Sequence, residues 1–221
     1  ITSFAKSSGT TNNKSKYIPV SKEALYDCHF NCGKDMLAIY YHNNPSTKIF
    51  QGKSLIMGGS RDLDSLSKAK FIGDLSAILI KNLPPWVSLL QTPNRAVSLM
   101  DEWEIKLREI CNIVINKNIT SITGVPSWTL VLLKKIINSY NKNISEIWPN
   151  LEVFFHGGVN FSPYKNQFQQ HFFPSQINYI QTYNASEGFF AVQDKNNAND
   201  MLLMLNHGIF YEFILKEDYK N

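Results

Sequence analysis

The sequence is poor in the features that mark several large classes of protein. Its 221 residues include three cysteines, an odd and sparse set that makes a poor disulfide framework and suits a reducing compartment. The formal charge of +4 is spread thinly with no run of like charges, so the basic patch of a nucleic-acid-binding protein is missing. Its apolar runs are far too short to cross a bilayer, and its first residues do not resemble a secretion signal. These absences predict a soluble, cytoplasmic protein that binds neither nucleic acid nor membrane.

What remains is the composition of a globular protein. Apolar residues make up 43% of the sequence, which is enough to bury a sizeable core in one or two units. The chain begins with Ile1 rather than methionine, and a polar loop follows after six residues, so we expect it to be a piece of a longer protein. Because no internal repeat or low-complexity linker divides it, we expect that piece to be continuous.

Short apolar strands alternate with helices through the second half of the chain. The pattern predicts strands at 119–123, 151–155 and 177–182, and helices at 127–140 and 163–171. Such alternation implies a mostly parallel β-sheet flanked by helices, with right-handed connections between its strands. The predicted fold class is therefore α/β.

Further elements are predicted on both sides of this region. They are amphipathic helices at 21–39 and 97–115, a strand at 53–57, a buried helix at 71–80, and a C-terminal β-hairpin with arms at 201–205 and 209–214. In the first of these helices Cys28 and Cys32 flank His29, a spacing that a metal or redox pair would also show. Because no second Cys or His pair follows to complete four ligands, we interpret them as part of an apolar helix face.

Turns of small residues follow three of the predicted parallel strands. They lie at Gly124, at Gly157 and Gly158, and at 183–187. Parallel sheets bind ligands at the carboxyl ends of their strands, so we expect these turns to share one edge of the sheet. His156 directly precedes the two glycines, which makes it the histidine nearest this edge and a candidate for substrate contact.

Two polar stretches have the composition of ligand-binding segments. The first, SSGTTNNKSK at 7–16, offers glycine, hydroxyls and lysines, a combination that cradles phosphate. It approximates a Walker A loop, but the glycine before Lys14 is absent and Ile18-Pro19 would break the following helix, so an ordinary flexible loop is the alternative. The second, QTYNASEGFF, offers the ring of Tyr183 to stack on a base and the carboxylate of Glu187 to hold magnesium, although either residue alone would suit an ordinary surface.

Taken in order, these stretches resemble the first and second nucleotide motifs of the auxin-responsive acyl acid amido synthetases. Residues 7–11 (SSGTT) with Lys14 and Lys16 match the first motif, and residues 183–187 (YNASE) match the second. The stretch HGGVNFSP lies between them, where the family has a glycine-containing strand end beside the adenine. The family belongs to the firefly-luciferase-like, acyl-adenylate-forming superfamily, and the resemblance covers essentially the whole chain.

The resemblance implies an ATP- and magnesium-dependent ligase reaction in two steps. A carboxylic acid attacks the α-phosphorus of ATP to give an acyl adenylate and pyrophosphate, and an amine, typically an amino acid, then takes the acyl group to form an amide. Each matching residue acquires an implied role. The phosphates would be bound by Ser7, Ser8, Gly9, Thr10, Thr11 and Lys16, the adenine end by Gly157, Gly158, Val159 and Tyr183 with Asn184 beside it, the α-phosphate region by Ser186 and magnesium by Glu187, the last two being the catalytic pair.

Parts of the family pattern are not found in these residues. The third motif, whose acid grips the ribose, and the C-terminal lid domain are both missing, so we expect residues 1–221 to be a partial ATP- and acyl-binding domain that is inactive alone. The acyl pocket is expected along the helices after Thr123, with Val125, Trp128 and Leu130 as candidates. Two alternatives remain open: an adenylating ligase with a thiol acceptor, and a non-catalytic nucleotide- or acyl-binding protein of the same fold.

Overall fold

The structure, a computed structural model, describes residues 3–7, 16–59, 71–173 and 177–219. The strands in these ranges are β1 (Ser3–Lys6), β2 (Tyr17–Val20), β3 (Lys53–Ile56), β4 (Phe71–Gly73), β5 (Gln91–Thr92), β6 (Ile119–Gly124), β7 (Val153–Gly157), β8 (Asn178–Ala185), β9 (Gly188–Val192) and β10 (Leu202–Leu203). The α-helices are α1 (Asn31–Asn43), α2 (Leu75–Lys81), α3 (Pro85–Leu90), α4 (Arg95–Ser98), α5 (Trp103–Val114), α6 (Pro126–Tyr140), α7 (Ile144–Ile147) and α8 (Ser162–Gln167). Two segments are π-helical, Ala24–Phe30 directly before α1 and Phe168–Phe172 directly after α8.

The main sheet is mixed and mostly parallel, as the sequence predicts. Its strands lie in the order β5-β3-β6-β7-β8-β9-β10, and β5 through β8 in that order all pair in parallel. The last two pairings, β8 with β9 and β9 with β10, are antiparallel. Each parallel crossover needs a connection over one face of the sheet, and helices supply it between β6, β7 and β8.

Both faces of this sheet are covered by helices, because its central strands are apolar on both sides. Side chains alternate along β7: Phe154 packs toward α5 and α6, whereas Val153 and Phe155 pack toward α1. The first side forms the larger core cluster, and Trp148 extends it by donating its indole N–H to the backbone oxygen of Val114 at 3.0 Å. The site residues described below therefore stand on a sheet that is held from both sides.

A second, three-stranded sheet packs against the π-helical segment Ala24–Phe30 and helix α2. Its order is β2-β1-β4, with β1 antiparallel to β2 and parallel to β4. Ala5, Val20 and Phe71 from its strands pack with Leu25 and Ile78 from the neighbouring helical segments. No helix in the described ranges is long and apolar enough to cross a membrane.

Two predicted helices are wrong in their extent. The predicted helix at 71–80 begins instead with strand β4, whose backbone pairs with β1, and the helix starts only at Leu75. The predicted helix at 97–115 is split into α4 and α5, because the backbone leaves helical geometry after Ser98 and Glu102 is extended. Residues 71–73 form a strand because they pair with β1, which is distant in the sequence. This tertiary pairing outweighs the local helical periodicity.

The C-terminal hairpin is present but lies earlier than its predicted arms. It consists of β8 and β9, and β10 adds to the free edge of β9 through pairing of Leu202 with Val192. Residues 209–214 form no strand, so the predicted arms at 201–205 and 209–214 do not pair with each other.

Replacing Trp148 by phenylalanine tests how the larger core cluster is tied to α5. The Trp148 side chain is 1% exposed, so Trp148→Phe removes a buried hydrogen bond and leaves unfilled volume. We expect the midpoint of thermal unfolding to fall by about 4–8 °C. The control is Trp86→Phe, which changes an exposed tryptophan in α3 and should leave the midpoint within about 1 °C. Equal midpoints for the two variants would contradict this account.

Candidate functional site

The carboxyl ends of four parallel strands lie side by side at one edge of the main sheet. In the pairing register Gly124 lies opposite His156, and Gly157 lies opposite Thr182. The chain that continues from β3, Gly58–Gly59, lies beside the end of β6. We call this the site edge, formed by residues 58–59, 124–125, 157–159 and 182–187. It brings together the three small-residue turns that were predicted to share an edge.

Gly157 allows the two central strands of the site edge to approach closely. A Cβ at this position would lie 2.5 Å from the Thr182 backbone oxygen and 2.7 Å from its Oγ1, so a larger residue would force β7 and β8 apart. The next residue, Gly158, has φ +82°, which L-residues with side chains rarely adopt. Gly158 and Val159 are exposed, so their backbone is accessible along the edge.

The predicted catalytic pair forms the tip of the β8–β9 hairpin. Ala185 pairs with Gly188, which leaves Ser186 and Glu187 as a two-residue turn, with Glu187 exposed and Ser186 half-buried. Because β7 ends opposite Thr182, the hairpin extends beyond the neighbouring strand. The turn therefore projects from the site edge.

Tyr183 presents an aromatic ring beside this turn. Its side chain is 55% exposed, and its ring centroid lies 5.1 Å from that of Phe190. Phe190 is the extra residue of a β-bulge, since Tyr183 lies opposite Ala191 and Asn184 lies opposite Phe189. Bulges re-aim side chains, and here the ring of Tyr183 remains exposed beside the turn.

Asn184, the residue after Tyr183, is held by a histidine from the helical layer. His29 Nδ1 donates a hydrogen bond to Asn184 Oδ1 at 2.9 Å. Burial lowers the pKa of His29, so the imidazole is neutral near pH 7. The sequence predicted Asn184 as a nucleotide contact, and the structure shows that its amide oxygen already has a protein partner.

His156 lies inside the fold rather than on the surface of the site edge. Its ring stacks on Phe161 with centroids 4.0 Å apart, and the residue is 3% exposed. Burial lowers the pKa of His156 to about 4, which keeps the ring neutral. The expectation that His156 contacts substrate is therefore not supported: its surroundings are those of a core aromatic residue.

A cavity of about 380 Å³ opens at the β3 side of the site edge, between α5 and α6. Its lining residues are Gly59, Asp74, Met100, Asp101, Trp103, Lys106, Trp128 and Val131. The rings of Trp103 and Trp128 lie 5.9 Å apart and form its aromatic wall. The volume is within the range of small-molecule sites, which are mostly apolar with a few polar groups.

Lys106 is one of three charged residues that line this cavity, together with Asp74 and Asp101. It is 2% exposed, and its Nζ donates hydrogen bonds to the backbone oxygens of Gly58 at 2.9 Å and Gly59 at 3.0 Å. Burial lowers the pKa of Lys106 to about 8, although the carboxylates of Asp74 and Asp101 oppose this shift. Sequence reasoning missed this residue. The signal was its place on the apolar stripe of α5, three residues after Trp103 and four before Ile110.

The three candidates for the acyl pocket have different surroundings. Trp128 lines the cavity, whereas Leu130 is buried in the larger core cluster. Val125 lies at the site edge, where its Cγ2 would be 3.3 Å from a Cβ on Gly158. Of the three, Trp128 is the one that the structure places in the cavity wall.

Most of the predicted phosphate loop lies outside the described residues. Ser8, Gly9, Thr10, Thr11 and Lys14 belong to this undescribed part. The two ends of the loop are described: Ser7 N–H donates to the Lys16 backbone oxygen at 2.8 Å, and Lys16 N–H donates to Ser7 Oγ at 3.3 Å. These bonds close the base of the loop at the end of the β1–β2 pairing.

Comparison with known proteins gives one family and one fold. A family model described as the GH3 family N-terminal domain matches residues 1–177. A structure of AtGH3.15 acyl acid amido synthetase in complex with 2,4-DB is 13% identical, with a TM-score of 0.68 over 91% of this chain and 44% of that chain. A second structure of GH3.15 acyl acid amido synthetase is 14% identical, with a TM-score of 0.64 and the same coverage.

Other comparisons add less. ATP-bound MatB from Rhodopseudomonas palustris is 14% identical with a TM-score of 0.47, covering 90% of this chain and 32% of that chain. None of the curated proteins matches the sequence. The chain spans 44% of the length of both GH3.15 structures, whose likeness shows the fold.

The buried lysine predicts a specific dependence of stability on pH. Its pKa is about 8 in the folded protein and near 10.5 in the unfolded chain, so between these values the unfolded chain binds more protons. Because Lys106 loses its proton more readily in the folded protein, the free energy of unfolding should rise with pH in this window. Between pH 7.5 and 9.5 we expect the unfolding free energy of the wild type to increase by about 2 kcal/mol relative to Lys106→Met, measured by urea denaturation.

The control for this measurement is Lys117→Met, which changes an exposed lysine after α5. Its unfolding free energy should follow that of the wild type across the same pH range. A constant difference between the wild type and Lys106→Met would show that the ammonium group is not desolvated as the structure indicates.

Proposed function

Because the chain belongs to the GH3 family, with residues 1–177 matching the model of its N-terminal domain, we propose that the full-length protein is an acyl acid amido synthetase. In the first step a carboxylate oxygen attacks the α-phosphorus of ATP and pyrophosphate leaves. In the second step an amine nitrogen attacks the acyl carbonyl, AMP leaves, and the nitrogen loses a proton. The observation that carries the proposal is the site edge, which places the YNASE turn and the cavity along the same row of strand ends.

The nucleotide is assigned to the part of the site edge formed by β7 and β8. The exposed backbone at 158–159, next to the half-buried Gly157, suits close approach to the adenine, and the exposed ring of Tyr183 suits stacking on it. Ser186 lies at the hairpin tip, where a hydroxyl can donate to the α-phosphate region. Asn184 supports this arrangement through its bond to His29 rather than through a free amide oxygen.

Magnesium fits the donor chemistry of the hairpin tip. Mg²⁺ prefers oxygen ligands and is commonly held by one or two carboxylates together with substrate phosphates and water. Glu187 supplies one exposed carboxylate, placed next to the hydroxyl of Ser186. When bound, the ion would neutralise charge on the phosphates. The contribution of the protein is to hold this carboxylate at a fixed position on the sheet edge.

The carboxylic acid is assigned to the cavity at the β3 side. Trp103 and Trp128 offer aromatic walls, which suit the apolar body of an acid. Lys106 provides a positive charge in the cavity wall while remaining bonded to two backbone oxygens, and Asp74 and Asp101 line the same cavity, so the apolar walls are the main ground for this assignment. The acid and the nucleotide would then lie at neighbouring parts of one edge, and holding two reactants together in this way is itself a large contribution to rate.

The phosphate loop and the domain assignment complete the proposal. Ser7 and Lys16 close the base of a loop whose composition suits phosphate, with Ser8, Gly9, Thr10 and Thr11 between them. We assign residues 1–221 to part of an ATP- and acyl-binding domain, in keeping with the 44% of each GH3.15 chain that they cover. The residues that complete the reaction in the full-length protein would then include others beyond this part.

Acid-dependent exchange between ATP and pyrophosphate tests the first step. We expect the full-length protein to catalyse exchange with at least one member of a panel of aromatic and aliphatic acids. Glu187→Gln keeps the size of the side chain but removes the charge, and should lower the exchange rate by about 100-fold or more. The control, Glu217→Gln, changes an exposed glutamate outside the site edge and should retain the wild-type rate. Wild-type exchange that does not need an acid would contradict the proposal.

Product analysis tests the second step. With the acid that supports exchange, addition of a panel of amino acids should release AMP and yield the N-acyl product, detected by mass spectrometry. A thiol such as coenzyme A serves as the competing acceptor. Formation of a thioester and no amide would assign the protein to the adenylating ligases with thiol acceptors instead.

A further inference from the structure

Three residues of the helical layer hold the hairpin that carries the YNASE turn. They are Cys28 and His29, in the π-helical segment Ala24–Phe30, and Cys32, in the first turn of α1. All three are buried, at 5%, 4% and 0% exposure respectively. We call them the clasp. π-Helical turns occur often at functional sites, and this one lies against β9.

The two thiols bond to the backbone of a single residue. Phe189 N–H donates to Cys28 Sγ at 3.3 Å, and Cys32 Sγ–H donates to the Phe189 backbone oxygen at 3.5 Å. Phe189 lies two residues after Glu187, at the start of β9 and beside the β-bulge. Because a bulge disrupts the strand ladder locally, backbone groups next to it need other partners, and the thiols are such partners here.

The histidine holds the opposite arm of the same hairpin. His29 Nδ1 donates to Asn184 Oδ1, and Asn184 lies two residues before Ser186 in β8. Both arms are thus fixed at positions two residues from the turn. A two-residue turn has little freedom of its own, so the position of the Glu187 carboxylate depends on where these arms are held.

The surroundings of His29 and Cys32 do not suit direct chemistry by these two side chains. His29 Nε2 is fully enclosed and has no hydrogen-bond partner among the described residues, so it does not reach a ligand at the edge. Burial raises the pKa of the Cys32 thiol to about 12, which keeps it protonated and unsuited to metal binding or redox chemistry. Within the described ranges no three His, Cys, Asp or Glu side chains group as metal ligands. What the contacts of the clasp do is hold the backbone and the amide of the hairpin.

We propose that Cys28, His29 and Cys32 are positioning residues that hold the Ser186–Glu187 turn in place for magnesium-dependent nucleotide binding. This inference rests on the function proposed above for the turn. The clasp acts through the hairpin and does not touch substrate. Loss of one of its hydrogen bonds should therefore loosen the hairpin. Nucleotide binding should become weaker in the presence of Mg²⁺, and the acid cavity should be unchanged.

Hydrogen exchange tests the mechanical part of the inference without any activity measurement. In the full-length protein, His29→Leu and Cys28→Val keep apolar bulk and remove one hydrogen-bonding group each. We expect amide exchange in the peptide covering 183–192 to become faster by about fivefold or more in both variants. His29→Asn, whose side-chain amide can replace the Nδ1 donor, and Cys28→Ser, which keeps an acceptor, should restore slower exchange.

A matched control separates this effect from general destabilisation. Cys111 is a third buried thiol, located in α5 within the larger core cluster. Cys111→Val makes the same chemical change as Cys28→Val at a place that does not contact the hairpin. Its exchange in 183–192 should equal that of the wild type, whatever its effect on the unfolding midpoint.

Binding of a non-hydrolysable ATP analogue tests the functional part. We expect His29→Leu to weaken affinity by about tenfold in the presence of Mg²⁺ and by less than about twofold in EDTA, measured by calorimetry. The affinity for the carboxylic acid should stay within about twofold in all variants. Irreversibly misfolded protein would reduce the number of binding sites at unchanged affinity, whereas a variant that merely unfolds more often would lose affinity by the same factor with Mg²⁺ and in EDTA.

The outcomes distinguish the two proposals. Unchanged exchange in 183–192 for both His29→Leu and Cys28→Val would overturn the clasp, regardless of activity. Faster exchange with unchanged Mg²⁺-dependent affinity, or a wild type that does not bind the analogue, would overturn the positioning role. Faster exchange and weaker Mg²⁺-dependent binding in a protein that shows no acid-dependent pyrophosphate exchange would support the clasp and refute adenylation.

Discussion

The close contact between β7 and β8 at Gly157 is the constraint on which the site edge depends. Because residue 157 has no side chain, the backbone of β7 lies very close to Thr182. A Cβ at this position would be 2.5 Å from the Thr182 backbone oxygen. The register that follows sets Gly124, His156 and Gly157 against their partners, and sets how far β8 continues past the neighbouring strand. The exposed backbone at 158–159 and the projecting hairpin are both results of this register. A residue with a side chain at position 157 would push β7 and β8 apart.

The two faces of the sheet serve different parts of the edge. On one face α5 and α6 pack over β6 and leave the cavity at the end of β3, with Lys106 bonded to the backbone there. On the other face the π-helical segment and α1 pack over β7, β8 and β9, and bring the clasp to the hairpin. The parts of the edge that we propose for the acid and for the nucleotide are therefore supported by separate helical layers. Such separation allows one part to vary in shape while the other is kept.

The elements that depend on local signals could be predicted from the sequence. The parallel strands, the helix that starts at Pro126 and the turns of small residues are set by apolar periodicity and by the backbone preferences of proline and glycine. The YNASE stretch was also found, together with its place at a strand end. What was missed depends on partners far away in the chain. Strand β4 forms because β1 is there to pair with it, and Lys106 and the two clasp thiols bond to backbone groups that no sequence pattern identifies.

The main sheet ends on both sides in strands of only two residues, β5 and β10. Its central strands β6 and β7 are mostly buried and rich in isoleucine, threonine, valine and phenylalanine, which is the kind of sequence that pairs readily with another copy of itself. A short outer strand exposes few unpaired backbone groups, so an approaching chain finds little to extend. In the described part of the molecule, the outermost strands thus protect the sheet against intermolecular β-pairing. The short outer strands β5 and β10 should therefore help the folded protein to remain unaggregated at high concentration.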